Sequence, residues 1–293
     1  MSTSLKSISI VLPAKNEAAN LRLLLPRLRA VLAGLERESE VVVVDDGSDD
    51  DTRQVCEANG VTVVSHPYPA GNGASVKSGA RAAHGEILVF MDADGQHDPE
   101  LVPRLLAKLD EGYDMVVGAR AAAGHAGAHR LVANTLYNRL ATWMVGRPVL
   151  DLTSGLRAVR ADKFRRFLYL LPNGFSYPTT ITMSFFRSGY PVAYLPVDVK
   201  QRVGRSHIRV TRDGVRFLVI IFKIGTLYSP LKLFAPISAG FFATGLGYYL
   251  YTYLTAHRFT NMSALLFVTS ALVFVLGLLS EQIALLNFKD SDR

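Results

Sequence analysis

Ile87-Leu88-Val89-Phe90-Met91-Asp92-Ala93-Asp94-Gly95-Gln96-His97-Asp98-Pro99 is an apolar run of strand length that ends on carboxylates, a glycine and a proline. Val41 to Asp50, VVVVDDGSDD, has the same form: a β-branched run that ends on Asp45 and Asp46 before Gly47. Such runs bounded by turn residues read as buried strands leaving a sheet into polar loops. Working outward, Ile8 to Ala14, Val61 to His66 and Met115 to Gly118 are further short strands. Helical patterns follow at about Glu17 to Leu35, Asp51 to Asn59, Gly73 to Ala83 and Pro99 to Glu111, the last with Asp98 as cap and Pro99 at the first helical position. Strands alternating with helices predict an α/β domain built on a mostly parallel sheet.

Ligands of such sheets bind beyond the carboxyl ends of the strands. Here those ends carry Pro13-Ala14-Lys15-Asn16-Glu17, then Asp45-Asp46-Gly47-Ser48, then Asp92-Ala93-Asp94-Gly95-Gln96. Two phosphate-binding motifs fail: Val76 stands where a dinucleotide fingerprint needs its third glycine after Gly71 and Gly73, and no Gly-Lys-Ser/Thr closes a P-loop. In an extended segment Asp92 and Asp94 point the same way, so two carboxylates share one hard cation, Mg2+ or Mn2+, completed by substrate phosphates. Turn and capping carboxylates are the structural alternative for Asp-x-Asp taken alone. The single cysteine, Cys56, excludes a disulfide framework and a Cys-rich metal site.

The net charge of +7 is concentrated: residues 1–199 carry equal numbers of acids and bases, whereas residues 200–230 carry seven Lys/Arg against Asp213 alone. That segment precedes two stretches free of Asp, Glu, Lys and Arg, 25 residues between Lys232 and Arg258 and 22 between Arg258 and Glu281. At about 1.5 Å per residue, roughly 20 helical residues cross a hydrocarbon core of about 30 Å, so both stretches qualify as spans, at about 233–255 and 261–283. Tyr248, Tyr249, Tyr251 and Tyr253 crowd the end of the first, as aromatic belts do. Arg205, Arg209, Arg212 and Arg216 recur at helical spacing, which predicts an interfacial helix whose cations meet lipid phosphate. The basic segment is therefore read as facing an anionic membrane and not nucleic acid. No secretory signal is visible at the N-terminus, so the positive-inside rule puts the large domain and the basic segment in the cytoplasm. The expected organisation is a catalytic domain at 1–204, a basic juxtamembrane region at 205–230 and a two-helix hairpin at 231–293. Gly240, Gly245 and Gly247 leave room for close helix packing and for a homo-oligomer.

The motifs together, LPAKNE, VVVVDDGSDD, ILVFMDADGQHDP, MVVGAR, DLTSGLRAV and QRVGRSHI before an apolar tail, resemble the family-two glycosyltransferases of GT-A fold. The closer similarity is to the polyprenyl-phosphate glycosyltransferases, dolichol-phosphate mannose synthase-like and GtrB-type. That resemblance implies that Pro13, Ala14, Glu17, Asp45 and Asp46 hold the base and ribose of a nucleotide sugar, with Lys77 near its diphosphate. It implies that Asp92, Asp94 and Gln96 form the metal and donor-diphosphate motif. Arg120, Arg130, Ser154 and Arg202 fall on positions around the acceptor phosphate, where guanidinium forks suit bidentate binding. Asp151 matches the proposed catalytic base, although a phosphate monoester, with a second pKa of about 6, needs little help to ionise. Lys15 departs from the family pattern, which has Tyr there.

The expected activity is a metal-dependent, inverting transfer of a hexose from a UDP-sugar, or from GDP-mannose, to undecaprenyl or dolichyl phosphate at a bacterial-type inner membrane. Three alternatives stay open on sequence: a glycosyltransferase acting on another lipid acceptor, one acting in polysaccharide synthesis, and a catalytically silent nucleotide-binding membrane protein. The polysaccharide synthases normally carry Gln-x-x-Arg-Trp, whereas this chain reads Gln201-Arg202-Val203-Gly204-Arg205.

Overall fold

The computed structural model describes residues 6–120, 128–174, 176–198, 222 and 225–288. Seven strands, β1 (Ile8–Ala14), β2 (Ser39–Asp45), β3 (Thr62–Ser65), β4 (Ile87–Phe90), β5 (Met115–Arg120), β6 (Arg157–Arg160) and β7 (Val192–Val197), form one sheet in the order β3-β2-β1-β4-β6-β5-β7. Among the described strands only β6 runs against its neighbours: it pairs antiparallel with both β4 and β5, and the other pairs are parallel. This is the expected mostly parallel α/β sheet. The reversed strand matters for the site, because the chain entering β6 arrives at the same edge at which the parallel strands exit.

The strands are buried because helices cover both faces. Ile8, Ile10, Leu12, Val43, Val89 and Val116 are all at most 1% exposed, as a two-sided parallel sheet requires. Helix α1 (Ala18–Ala33) turns Leu21, Leu24, Leu25, Leu28 and Leu32 inward at helical spacing. Three further helices follow in the first half, α2 (Thr52–Ala58), α3 (Asn72–Ala82) and α4 (Leu101–Asp110). Helix α4 begins two residues later than its Asp98-Pro99 signal suggests. Asp98 lies in the preceding turn, accepting from Glu100 N at 3.2 Å, while Arg27 grips its two oxygens at 2.8 and 3.0 Å.

Helix α3 sits unusually close to its neighbours. A Cβ on Gly79 would lie 2.3 Å from Val11 Cγ1, and one on Gly73 would lie 2.1 Å from Pro172 O and 2.8 Å from Gly174 O. The chain reaches α3 through Gly71 at φ +104°, and Ala74 N donates to Asn173 O at 3.1 Å. Glycines of the Gly71-Asn72-Gly73 turn thus admit a neighbouring loop. The remaining helices among the described residues are α5 (Ala128–Val145), α6 (Ala161–Arg165), α7 (Tyr177–Arg187), α8 (Pro230–Ala256) and α9 (Asn261–Phe288).

The chain divides into two compact units, 1–141 with 147–206, and 142–146 with 207–293. In the second, α8 and α9 form an antiparallel hairpin, each long and apolar enough to cross a membrane. Only 11% and 17% of their most apolar windows are buried, which is not how the core helices of a soluble protein behave. His257, in the left-handed conformation, closes α8. Ser238 and Ser270 exchange Oγ-to-carbonyl hydrogen bonds of 2.9 Å across the hairpin, satisfying polar groups that lipid would leave unpaired. Glu281 accepts from Leu231 N at 3.2 Å, placing an anion at the positive end of α8. Of the three glycines expected to allow close packing, Gly245 and not Gly240 or Gly247 meets the partner helix, at Leu266 and Phe267. Gly277, facing Phe234 and Leu231, is a second contact. The basic residues Arg205, Arg209, Arg212 and Arg216 lie outside the described residues, as does Arg202.

The crowding at Gly73 has a measurable consequence. Gly73→Ala sets a methyl against two backbone carbonyls that cannot rotate away, so it is expected to destabilise the first unit by about 1–3 kcal/mol. Gly112→Ala, with nothing within 4 Å of its Cβ but a φ of +103°, is the control for backbone strain alone. Chemical-denaturation midpoints of the two variants measure the difference.

Candidate active site

The exits of β1 and β2 are laced together. Pro13 and Ala14 lie opposite Val44 and Asp45, and Asp46 N donates to Ala14 O at 2.9 Å. Asn16, at φ +57°, donates from its N–H to Ser48 Oγ at 2.9 Å and accepts from Asp49 N at 2.8 Å. Glu17 N donates to Thr52 Oγ1, and the Glu17 carboxylate accepts from Asn20. Asp45 is buried and accepts from Ser48 N at 3.0 Å.

Asp46 turns the other way. It accepts from the amides of Ala70 and Gly71 at 2.8 Å each and lies 2.7 Å from His66 Nδ1, whose Nε2 is 2.9 Å from Ser78 Oγ. Burial pushes the Asp46 carboxyl up, but His66 and the two amides together hold it below the ordinary carboxylate value. Asp46 therefore builds the loop that delivers α3. Lys77 serves the same region, donating to Leu171 O at 3.1 Å and to Asn173 Oδ1. Burial, and then Arg81, lower its pKa.

Strand β4 ends at Phe90, before the acidic motif, because its partner β6 begins at Arg157, directly opposite Phe90. Asp92 and Asp94 are consequently not side by side on an extended strand, as the sequence suggests, but in a turn that passes through Gly95 at φ +73°. They remain coupled. Burial and then the Asp94 charge push the Asp92 carboxyl up to about 6, partly opposed by Arg157 and Arg120. The Asp92 carboxyl lies against Gly155, where a Cβ would fall 2.5 Å from Oδ2. Asp94 Oδ1 accepts from Gln96 N at 3.1 Å, which fixes the turn. His97 is buried with Nδ1 unpartnered; burial lowers its pKa, so its imidazole is neutral at pH 7.

Strand β5 runs to Arg120, two residues beyond its predicted end, and Arg120 meets the loop entering β6. Its Nε and Nη2 grip Asp151 Oδ2 and Oδ1 at 2.8 and 3.0 Å, and Nη2 also donates to Thr153 Oγ1. The amides of Thr153 and Ser154 donate to Asp151 Oδ1 at 3.0 and 3.1 Å. Burial raises the Asp151 carboxyl, yet the Arg120 guanidinium and the Thr153 and Arg120 amides hold it below the usual range. A carboxylate so bound is a poor proton acceptor and a firm hold for a guanidinium. Ser154 is buried with Oγ unpartnered. Asn138 donates to Leu150 O at 2.6 Å and accepts from Leu152 N, shaping this loop. Arg130 and Asn134 lie on α5, but their side chains fall outside the described residues.

Asp92, Asp94, His97, Arg120, Asp151 and Arg157 thus stand within electrostatic reach of one another. Arg157, Gly155 and His97 were not legible as site residues, although Arg157 leaves a trace: an arginine inside the apolar run Leu156 to Val159. Among the described residues no set of three or more His, Cys, Asp or Glu side chains gathers to enclose a metal. Two carboxylates, one pushed up by the other, fit instead a hard cation that completes its shell with substrate oxygens. Arg120, whose Nη1 makes no hydrogen bond among the described residues, adds a cationic donor beside them.

Residues 9–168 match the family described as glycosyl transferase family 2, and residues 229–286 match the GtrB C-terminal hairpin. An undecaprenyl-phosphate 4-deoxy-4-formamido-L-arabinose transferase from Klebsiella pneumoniae is 37% identical over 161 residues, 53% of this chain and 49% of that protein. A dolichyl-phosphate hexose transferase from Haloferax volcanii is 30% identical over 201 residues, 67% of this chain and 86% of that protein. The chain spans about half the length of the first of these relatives. Among solved structures, glucosyl-3-phosphoglycerate synthase from Mycobacterium tuberculosis in complex with Mn2+ and UDP-glucose superposes with a TM-score of 0.59 at 27% identity, over 74% of this chain and 79% of that one.

The coupling of the two carboxylates gives a direct test. Asp94→Asn removes the like charge, so the Asp92 midpoint, about 6 in the native protein, is expected to fall toward the ordinary 3.8 without reaching it, since burial remains. A carboxyl 13C titration of the two proteins reads this shift.

Proposed function

The chain belongs to glycosyl transferase family 2, and from that membership we propose that it transfers a sugar from a nucleotide sugar to a polyprenyl phosphate in a membrane. The observation that carries this reading is the meeting of the Asp92–Asp94 acidic turn with the Arg120–Asp151 fork, in a chain that ends in two helices of lipid-spanning length. The acidic turn suits a nucleoside diphosphate bound through a divalent cation, and Arg120, held by Asp151 through Nε and Nη2, keeps Nη1 for an oxygen of a phosphate monoester. The named activities of the Klebsiella and Haloferax relatives, and the UDP-glucose of the mycobacterial structure, favour the same substrates.

In the proposed reaction an oxygen of the lipid phosphate attacks the anomeric carbon, the bond to the nucleoside diphosphate breaks, and the configuration inverts. Asp92 and Asp94 would hold Mg2+ or Mn2+, which when bound offsets the charge that develops on the diphosphate. Pro13, Ala14, Glu17 and Asp45 line the donor side, with Gln96 at the acidic turn. Asp46 and Lys77 act by shaping the loops before and beside α3. Arg120, with Ser154 and with Arg130 and Arg202 beyond the described side chains, receives the acceptor phosphate. That phosphate is largely dianionic at pH 7, so no side chain has to remove a proton from it. Asp151 accordingly orients Arg120, and bringing both substrates into one oriented pair supplies much of the acceleration. The donor we favour is a UDP-sugar over GDP-mannose.

The reading also sets the topology. Residues 1–204 act as the catalytic part, 205–230 as a basic interfacial segment and 231–293 as the membrane hairpin, with the catalytic part on the cytoplasmic side, where the positive charges of 200–230 belong.

Purified full-length protein, undecaprenyl phosphate, Mn2+ and a panel of labelled UDP- and GDP-sugars test this by organic-phase extraction. One UDP-sugar is expected to label the lipid, with a loss of about 100-fold or more in Asp94→Ala. Gly155→Ala, which crowds the Asp92 carboxyl, is expected to lower kcat about 10- to 100-fold in a folded protein. No labelled lipid with any donor, from protein that binds nucleotide, would reject polyprenyl phosphate as the acceptor.

A further inference from the structure

Arg157 has no assigned part in the reaction above, and its setting is unusual for an arginine. It opens β6 between Phe90 of β4 and Val117 of β5, and it is 0% exposed. Its guanidinium donates from Nη2 to Ser154 O, and from Nη1 to Pro178 O at 3.2 Å and Thr182 Oγ1 at 3.3 Å. It stands 5.7 Å from the centroid of the Tyr177 ring, and Nε has no partner. Among the described residues it forms no ion pair.

A guanidinium removed from water without a contacting carboxylate costs several kcal/mol, which neutral carbonyls and an aromatic face offset only in part. Folding tolerates such a group where more distant anions use its charge, and the anions whose fields favour it include Asp151 and Asp92. Its bonds point to the same place. Ser154 follows Asp151 and precedes Gly155, the residue against which Asp92 rests, while Pro178 and Thr182 belong to α7. One side chain therefore ties the floor of the acidic turn and the base of the Arg120 fork to a packed helix.

We propose that Arg157 is a positioning residue for the transfer reaction: it holds the Asp151–Gly155 loop to α7 and supplies a permanent positive charge beneath the site that tempers the pull of Asp92 and Asp94 on a divalent cation. Only its kinetic arm rests on the glycosyl-transfer reading. Arg157→Lys keeps the charge and loses the fork; Arg157→Met keeps an unbranched apolar stem and loses both.

Mn2+ affinity of the full chain in detergent, measured by EPR at pH 8 without nucleotide, separates the two parts. Arg157→Met is expected to bind Mn2+ about threefold or more tightly than the native protein, and Arg157→Lys within about twofold of it. Damage to the fold would weaken binding, so the sign is diagnostic. Both variants are expected to lower kcat about tenfold or more with the KM for the nucleotide sugar changed less than about twofold. Equal or weaker Mn2+ binding by folded Arg157→Met, or an unchanged kcat in Arg157→Lys, overturns the proposal. Arg157→Gln replaces Arg157→Met if the latter fails to fold. If neither neutral variant folds, the kcat of Arg157→Lys decides. If the native protein transfers nothing to undecaprenyl phosphate, the functional reading fails while the Mn2+ comparison still decides the role of the charge.

Discussion

A carboxyl enclosed by protein beside a second carboxylate stays ionised only if positive charge is close, and the first unit is arranged around that constraint at Asp92. Asp94 stands on one side of it and the backbone of Gly155 on another, and the opposing charges are Arg120 and Arg157. Each of those arginines reaches its place through β6, the one reversed strand. Its first residue is Arg157, and the loop that enters it carries Asp151, which grips Arg120. Without the reversal, the loop from Asp151 to Gly155 would lie at the far end of the sheet from the acidic turn.

The remaining exits are built with the same economy of parts. Asp46, His66 and Ser78 form a chain of hydrogen bonds that fastens the end of β2 to the loop after β3 and to α3. Gly71 and Gly73 then let the start of α3 meet residues 172–174 at a distance no side chain would permit. Carboxylates of similar appearance in sequence thus differ in their settings: Asp46 and Asp98 organise turns, Asp151 orients an arginine, and Asp92 is buried beside the charge of Asp94. In the second unit the same accounting of buried polar groups recurs in apolar surroundings, where Ser238 and Ser270 satisfy each other's carbonyls and Glu281 answers the start of α8.

Much of this was legible in the chain itself. The alternation of β-branched runs with helical patterns established the mostly parallel sheet, since a strand covered on both faces needs a continuous apolar run. The acidic exits marked the edge at which the candidate site is built, and the two long uncharged stretches identified helices able to cross a bilayer, because length and apolarity are local properties. Less local features were out of reach. The four-residue β6 has no period long enough to announce it, and its direction depends on which strands it pairs with.

What the sequence by itself determined, then, was the order of the elements from β1 to β5, the residue types at their ends and the lipid-compatible hairpin, all of which follow from periodicity and composition within one segment. Tertiary structure alone decided the pairings across long separations: Arg120 with Asp151, Gly155 against Asp92, Asn138 with the 150–152 loop, and Arg157 beneath them all. The physical reason is that a carboxylate's state depends on burial and on neighbouring charge, and both are set by strands that meet only when the sheet closes. Spacing of two residues suggested that Asp92 and Asp94 share a strand face, whereas the register of β4 against β6 put them in a turn.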